Sequence, residues 1–224
     1  MNHKRITLFA GHYGTGKTNI AVNYALALKK DGKNVCIADL DIVNPYFRTK
    51  DSAELLNEAG IDLISPQYAN SNVDLPALPA QAYRIVEDKS TYSVVDIGGD
   101  DRGAYALGRY VPMIKEENNY RMVYVANCYR PLTRTADDAI EVMREIEAAC
   151  GLRFTDIVNN SNLGELTTKE TILDSLNFIN ELSEKTGCPV FLHTIKKELT
   201  QSLNGELQNV LALTLQEKYF DLPK

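Results

Sequence analysis

A chain of 224 residues, 44% of them hydrophobic, is long enough to bury a substantial core and fits one large α/β domain over residues 1–224 better than two small ones. Lys and Arg number 24 against 30 Asp and Glu, a formal net charge of −6 with no basic stripe, which argues against nucleic acid as a partner. No segment has the apolar length to cross a bilayer, no apolar leader with a cleavage site follows the basic start, and Cys36, Cys128, Cys150 and Cys188 form no C-x-C or C-x-x-C pair; the expectation is a cytoplasmic protein with buried thiols, no membrane partner and no metal knuckle.

The apolar run over 6–10 reads as a strand, and it feeds Gly11-His12-Tyr13-Gly14-Thr15-Gly16-Lys17-Thr18, which fits G-x-x-x-x-G-K-[ST]. Glycines at 11, 14 and 16 allow positive φ and let successive N–H groups turn inward onto an anion. Lys17 is then placed for the β and γ phosphates and the Thr18 hydroxyl for Mg²⁺, at a helix N-terminus whose partial charge is positive. The four fixed positions arise by chance in on the order of one chain in a hundred of this size. The strand before and the helix after make chance a still poorer account.

The helix from this loop runs over 18–30, with Ile20, Ala21, Tyr24, Ala25 and Leu28 on one face and Asp31-Gly32 closing it. Residues 34–38 read as a buried strand that delivers Asp39 and Asp41, with Pro45 forbidding a continuing helix. Strand C-termini line the ligand crevice of an open parallel sheet, so this pair of carboxylates is placed to face the phosphates. A helix over 51–59, a short strand over 61–64, a loop over 67–79 rich in Asn, Ser and Pro, and a helix over 80–88 follow. A strand over 92–97 then carries Asp96 to its end, where Gly98 and Gly99 free the backbone to approach a γ-phosphate.

The strand over 121–126 ends at Asn127 and Arg130-Pro131, and a helix over 136–149 is stopped by Gly151. The strand over 155–158 runs into Asn159-Asn160-Ser161-Asn162, a tip of amides that suits either base recognition or a turn. A helix over 167–185, a strand over 190–195 and a packing helix over 206–219, with Leu207, Val210, Leu211, Thr214 and Leu215 on one face, complete the chain. Strands alternating with helices give a mostly parallel sheet covered on both faces.

With the phosphate loop, the Asp-x-Asp tip and the Asp-x-Gly-Gly strand end in this order, the chain resembles the deviant-Walker-A P-loop ATPases, the MinD/ParA/Mrp group with its CobQ/CobB-like relatives. The resemblance implies a P-loop NTPase fold with a seven- or eight-stranded sheet, and Mg-ATP as ligand. It implies nucleotide contacts along the whole loop from Gly11 through Lys17 and Thr18 to Asn19, Asp39 and Asp96 in the shell of Mg²⁺ beside Thr18, and Asp41 orienting the attacking water. Gly98 or Gly99 matches the switch glycine at the γ-phosphate, and Asn159 or Asn160 falls where the family reads adenine. One departure stands out: family members carry a lysine where this chain has His12, the residue that reaches a partner's nucleotide across a sandwich dimer. His12 either contacts a phosphate when protonated or shapes the loop, and Arg102 and Arg109 are alternative sources of positive charge.

The leading functional reading is a switch-type ATPase acting on a protein partner, an assembly or a homodimer. An ATP-dependent small-molecule kinase or ligase of the dethiobiotin-synthetase kind is the second, with Tyr46, Arg48, Asp100, Asp101 and Arg102 available to build an acceptor site. A nucleotide-binding regulator that does not hydrolyse is the third.

Overall fold

The computed structural model describes residues 3–40, 49–65, 80–98 and 106–215. The expectations placed on Asp41, Tyr46, Arg48, the loop over 67–79, Gly99, Asp100, Asp101 and Arg102 lie outside these residues. The strands are β1 (Ile6–Ala10), β2 (Val35–Leu40), β3 (Asp62–Ile64), β4 (Tyr92–Ile97), β5 (Tyr120–Ala126), β6 (Asp156–Asn159), β7 (Val190–Lys196) and β8 (Val210–Leu213). They form one eight-stranded sheet in the order β3-β2-β4-β1-β5-β6-β7-β8, with every pair parallel.

A parallel sheet needs cover on both faces, and the alternation of side chains supplies it. In β1, Ile6, Leu8 and Ala10 enter one apolar cluster while Phe9 enters the other. β5 repeats this with Met122, Tyr124 and Ala126 against Val123 and Val125. Helix α1 (Lys17–Lys30) covers the Phe9 face with Ile20, Ala21, Tyr24, Ala25 and Leu28, joined by Leu56 of α2 (Ala53–Glu58). The opposite face is covered by α3 (Arg84–Glu87), α4 (Val111–Glu117), α5 (Ala136–Cys150) and α7 (Leu176–Thr186). α5 opens with a capping box in which the Asp138 N–H donates to Thr135 Oγ1 and the Thr135 N–H to the Asp138 carboxylate. The short α6 (Lys169–Asp174) packs Ile172 in a small cluster with Ile195 and Leu203.

Two expectations are corrected here. The apolar tail is a strand, not a packing helix: Val210–Leu213 adds to β7, pairing His193 with Val210 through Lys196 with Leu213. An apolar run this short fits either period, and the open edge of β7 decides it. Asn23 of α1 then pins the strand's end, accepting from the Thr214 N–H at 2.9 Å and donating to the Thr214 carbonyl at 3.0 Å. The helix over 167–185 is broken at Ser175, whose hydroxyl donates to the Ile172 carbonyl at 2.6 Å and accepts from Asn159 Nδ2 at 2.9 Å. That local bond competes with the helical ladder and divides α6 from α7.

Burial pushes all four thiols up, but of the four expected to be buried only Cys36 and Cys150 are, Cys128 and Cys188 being half-buried. No helix among the described residues is long and apolar enough to cross a membrane.

Candidate functional site

The site lies beyond the C-terminal ends of the strands, where β1, between β4 and β5, releases the chain into the phosphate loop. The glycines there are required by geometry. Gly11 sits at φ +155°, and a Cβ on it would lie 2.7 Å from the Val125 carbonyl oxygen of the neighbouring strand. Gly16 sits at φ +90°, and its Cβ would meet Asn160 Nδ2 at 2.4 Å. Both positions are therefore closed to any side chain by space as well as by conformation.

The loop is braced on its own backbone. The His12 carbonyl accepts from the Thr15 N–H at 3.3 Å, from Thr15 Oγ1 at 2.8 Å and from Lys17 Nζ at 3.1 Å. The His12 ring turns back on the loop, Nδ1 donating to the Tyr13 carbonyl at 3.0 Å.

Below the loop lies a buried oxygen cluster. The Thr18 hydroxyl donates to Asp96 Oδ2 at 2.7 Å, and Asp39 of β2 stands in register opposite Asp96 of β4. Thr18, Asp39 and Asp96 are all under 10% exposed. Hydroxyl and carboxylate oxygens are the donors a hard dication takes, and Mg²⁺ completes its shell with water and phosphate oxygens, so the residues fit the ion. No group of three or more His, Cys, Asp or Glu side chains that could hold a metal ion gathers among the described residues. Thr49 also reaches this cluster: its fully buried hydroxyl donates to the same Asp96 Oδ2 at 3.1 Å. Gly98 follows β4 directly and is buried.

Beside the loop opens a cavity of about 390 Å³, a volume suited to a small ligand. Gly16, Lys17, Thr18 and Asn19 form one end and Asn160, Asn162, Thr194 and Lys196 one side. Ile172, Ile195, Leu213 and Leu215 supply an apolar wall. Asn160 is a brace: its Nδ2 donates to the Thr15 carbonyl at 2.6 Å and its Oδ1 accepts from the Thr194 hydroxyl. Asn159 lies outside the cavity lining, toward Ser175 and His193. Burial pushes His193 down. Lys196 reaches the rim, paired with the exposed Glu165 at 3.0 Å.

Sequence reasoning missed Thr49, Thr194, Lys196 and the Leu213–Leu215 wall, all of which reach the site from distant segments with no motif. It also gave no role to Arg130, which lines the cavity next to Gly14. Of the alternative cations, Arg109 is exposed and Arg102 is outside the described residues.

The sequence model of the CobQ/CobB/MinD/ParA nucleotide binding domain matches residues 6–172. No curated protein matches the chain. Among solved structures, the cell division protein FtsY of Thermotoga maritima is similar at 15% identity and TM-score 0.56, over 87% of this chain and 63% of that one. The signal recognition particle receptor FtsY of Elizabethkingia anophelis, in complex with GDP, is similar at 13% identity and TM-score 0.55, over 87% and 58%. The 54 kDa signal recognition particle protein of Aeropyrum pernix, in complex with GDP, follows at 18% identity and TM-score 0.53, over 83% and 40%. The chain thus spans between 40% and 63% of the length of these proteins, and the likeness is one of fold.

Proposed function

Because the chain belongs to the CobQ/CobB/MinD/ParA nucleotide-binding domain family, we propose that it is a Mg-ATP-dependent switch whose hydrolysis acts on a protein partner or a second copy of itself. One observation carries this reading: the Thr18 hydroxyl and Asp96 carboxylate meet at 2.7 Å under the phosphate loop, with Asp39 in register beside them. That cluster joins the loop's helix to two strand ends, and through Thr49 to the segment that follows Asp41.

In this reading Lys17 leaves the His12 carbonyl for the β and γ phosphates, and the loop N–H groups hold the phosphate oxygens. Thr18, Asp39 and Asp96 would hold Mg²⁺, and the ion would supply charge neutralisation on the phosphates. Asp41 accepts a hydrogen bond from the attacking water and orients it. Its Asn variant keeps the shape and loses the charge, so turnover is expected to fall by roughly ten- to a thousandfold with ATP affinity unchanged or better. Phosphate release by stopped assay, beside calorimetric ATP binding, checks this. Hydrolysis by Asp41→Asn at the wild-type rate, with and without partner extract, moves the role to Asp39.

The base is read as adenine. Guanine offers donors at N1 and N2 that a carboxylate complements, and no Asp or Glu is among the described residues lining the cavity. Leaving those donors unmatched costs about 1–3 kcal/mol, so ATP is expected to bind tighter than GTP by roughly five- to 150-fold. The fold neighbours in complex with GDP make the opposite outcome worth testing. Displacement of labelled ATP by an equal concentration of GTP overturns the adenine assignment.

A further inference from the structure

Arg130 has no part in the chemistry described so far, yet its guanidinium stands at the phosphate loop. Its Cζ and Nε each lie 3.9 Å from where a Cβ would sit on Gly14, and it lines the same cavity as Gly16 and Lys17. Nε is buried with no hydrogen-bond partner among the described residues, and the side chain forms no ion pair with any described carboxylate. A buried guanidinium N–H left without an acceptor costs free energy that an incoming anion recovers.

The backbone that presents this side chain is held in place. Asn127, fully buried at the end of β5, accepts from the Arg130 N–H at 3.2 Å through its carbonyl. The same carbonyl accepts from the Thr133 hydroxyl at 2.8 Å, and Asn127 Oδ1 accepts from the Tyr129 N–H at 3.0 Å. Thr133 N–H closes the turn on the Arg130 carbonyl at 3.1 Å, and Pro131 fixes φ between them. The side chain is thus aimed by a preorganised turn rather than left to search from a mobile surface.

We propose that Arg130 is a phosphate-binding residue acting within its own chain, its guanidinium engaging the phosphate oxygens of the bound nucleotide across Gly14. This rests on the nucleotide reading above and adds to it a cation from the β5 end. It answers the question His12 raises: His12 is folded onto its own loop, and a fixed positive charge is available to the phosphates from Arg130 without a second subunit.

The test is calorimetric binding of ATP and ADP, with Mg²⁺, to wild type, Arg130→Met, Arg130→Lys and Lys17→Ala at two salt concentrations, with the melting temperature of each variant without nucleotide. A charge-assisted contact to phosphate predicts that Arg130→Met loses roughly ten- to a hundredfold in affinity. It also predicts a shallower salt dependence, with Arg130→Lys recovering part of the loss because the charge remains. Wild-type affinity in Arg130→Met, with Lys17→Ala clearly weakened, overturns the proposal and leaves the nucleotide reading standing. Equal losses in Arg130→Met and Arg130→Lys with a lowered melting temperature also overturn it, assigning Arg130 to loop packing. Absence of nucleotide binding by wild type sinks the nucleotide reading and this proposal together.

Discussion

Arg5→Met is expected to lower stability by about 3–5 kcal/mol, the range for removing one partner of a buried ion pair. Arg5 is 5% exposed, and all five of its guanidinium N–H groups are used. Nε and one terminal nitrogen grip the two oxygens of Glu117, at the end of α4. The others donate to the carbonyls of Ile85 at 3.0 Å, Asp88 at 3.0 Å and Thr91 at 3.1 Å. One side chain thereby ties the start of β1 to α3, to the approach to β4 and to α4. Methionine matches the stem but withdraws the Arg5 donors from Glu117, which keeps Lys89, and from three carbonyls, of which that of Ile85 keeps the Ser93 hydroxyl at 3.3 Å.

Lys89 keeps a second cation on Glu117 at 2.6 Å, which draws the loss toward the lower end. Burial pushes the Glu117 carboxyl up, but the hydrogen bonds and charges of Arg5 and then Lys89 outweigh it, so it sits below the ordinary carboxylate range. A depressed carboxylate contributes stability that is present above about pH 4.3 and lost as the pH falls through its folded value. Denaturant melts of wild type stepped from pH 7 to well below pH 4 should show that loss, and Arg5→Met should show a smaller one. A stability change under 1 kcal/mol in Arg5→Met at pH 7 excludes this role for the pair. Adding Glu117→Met should cost less than the two single changes together, since it removes the stranded charge.

What could be read from the chain alone follows from how local each signal is. The phosphate loop, its glycines and the carboxylates at the ends of β2 and β4 are written within a few residues of a strand, so the spacing of Gly11, Gly16, Lys17, Asp39 and Asp96 carries the site's floor. The contacts that complete it carry no such mark. Arg5 and Glu117 are 112 positions apart, and Asn160 braces Thr15 across 145. Thr49 and Arg130 read as an ordinary threonine and a surface arginine until the sheet brings them to Asp96 and Gly14. The tail was misread for a related reason. Val210–Leu213 has an apolar spacing that fits a helix in isolation, and only the vacant edge of β7 makes it a strand.

Lys17→Ala is expected to weaken ATP binding by about 2–4 kcal/mol, roughly 30- to 800-fold. Lys17 is buried, and its ammonium donates to the His12 carbonyl at 3.1 Å, which holds it at the base of the phosphate loop. A polyphosphate offers this ammonium formal negative charge, and a charge-assisted contact to phosphate is among the stronger hydrogen bonds. The loss should grow with the number of phosphates: larger for ATP than for ADP, and least for AMP, because the lysine is placed for the β and γ groups. Lys17 is itself buried, so the melting temperature without nucleotide must be measured to separate folding from binding. Titration of ATP, ADP and AMP into both proteins checks this. Equal ATP affinity in wild type and Lys17→Ala would falsify the placement of the phosphates in this loop. An equal loss across the three nucleotides would instead put Lys17 at the α-phosphate and shift the whole ligand one phosphate along the loop.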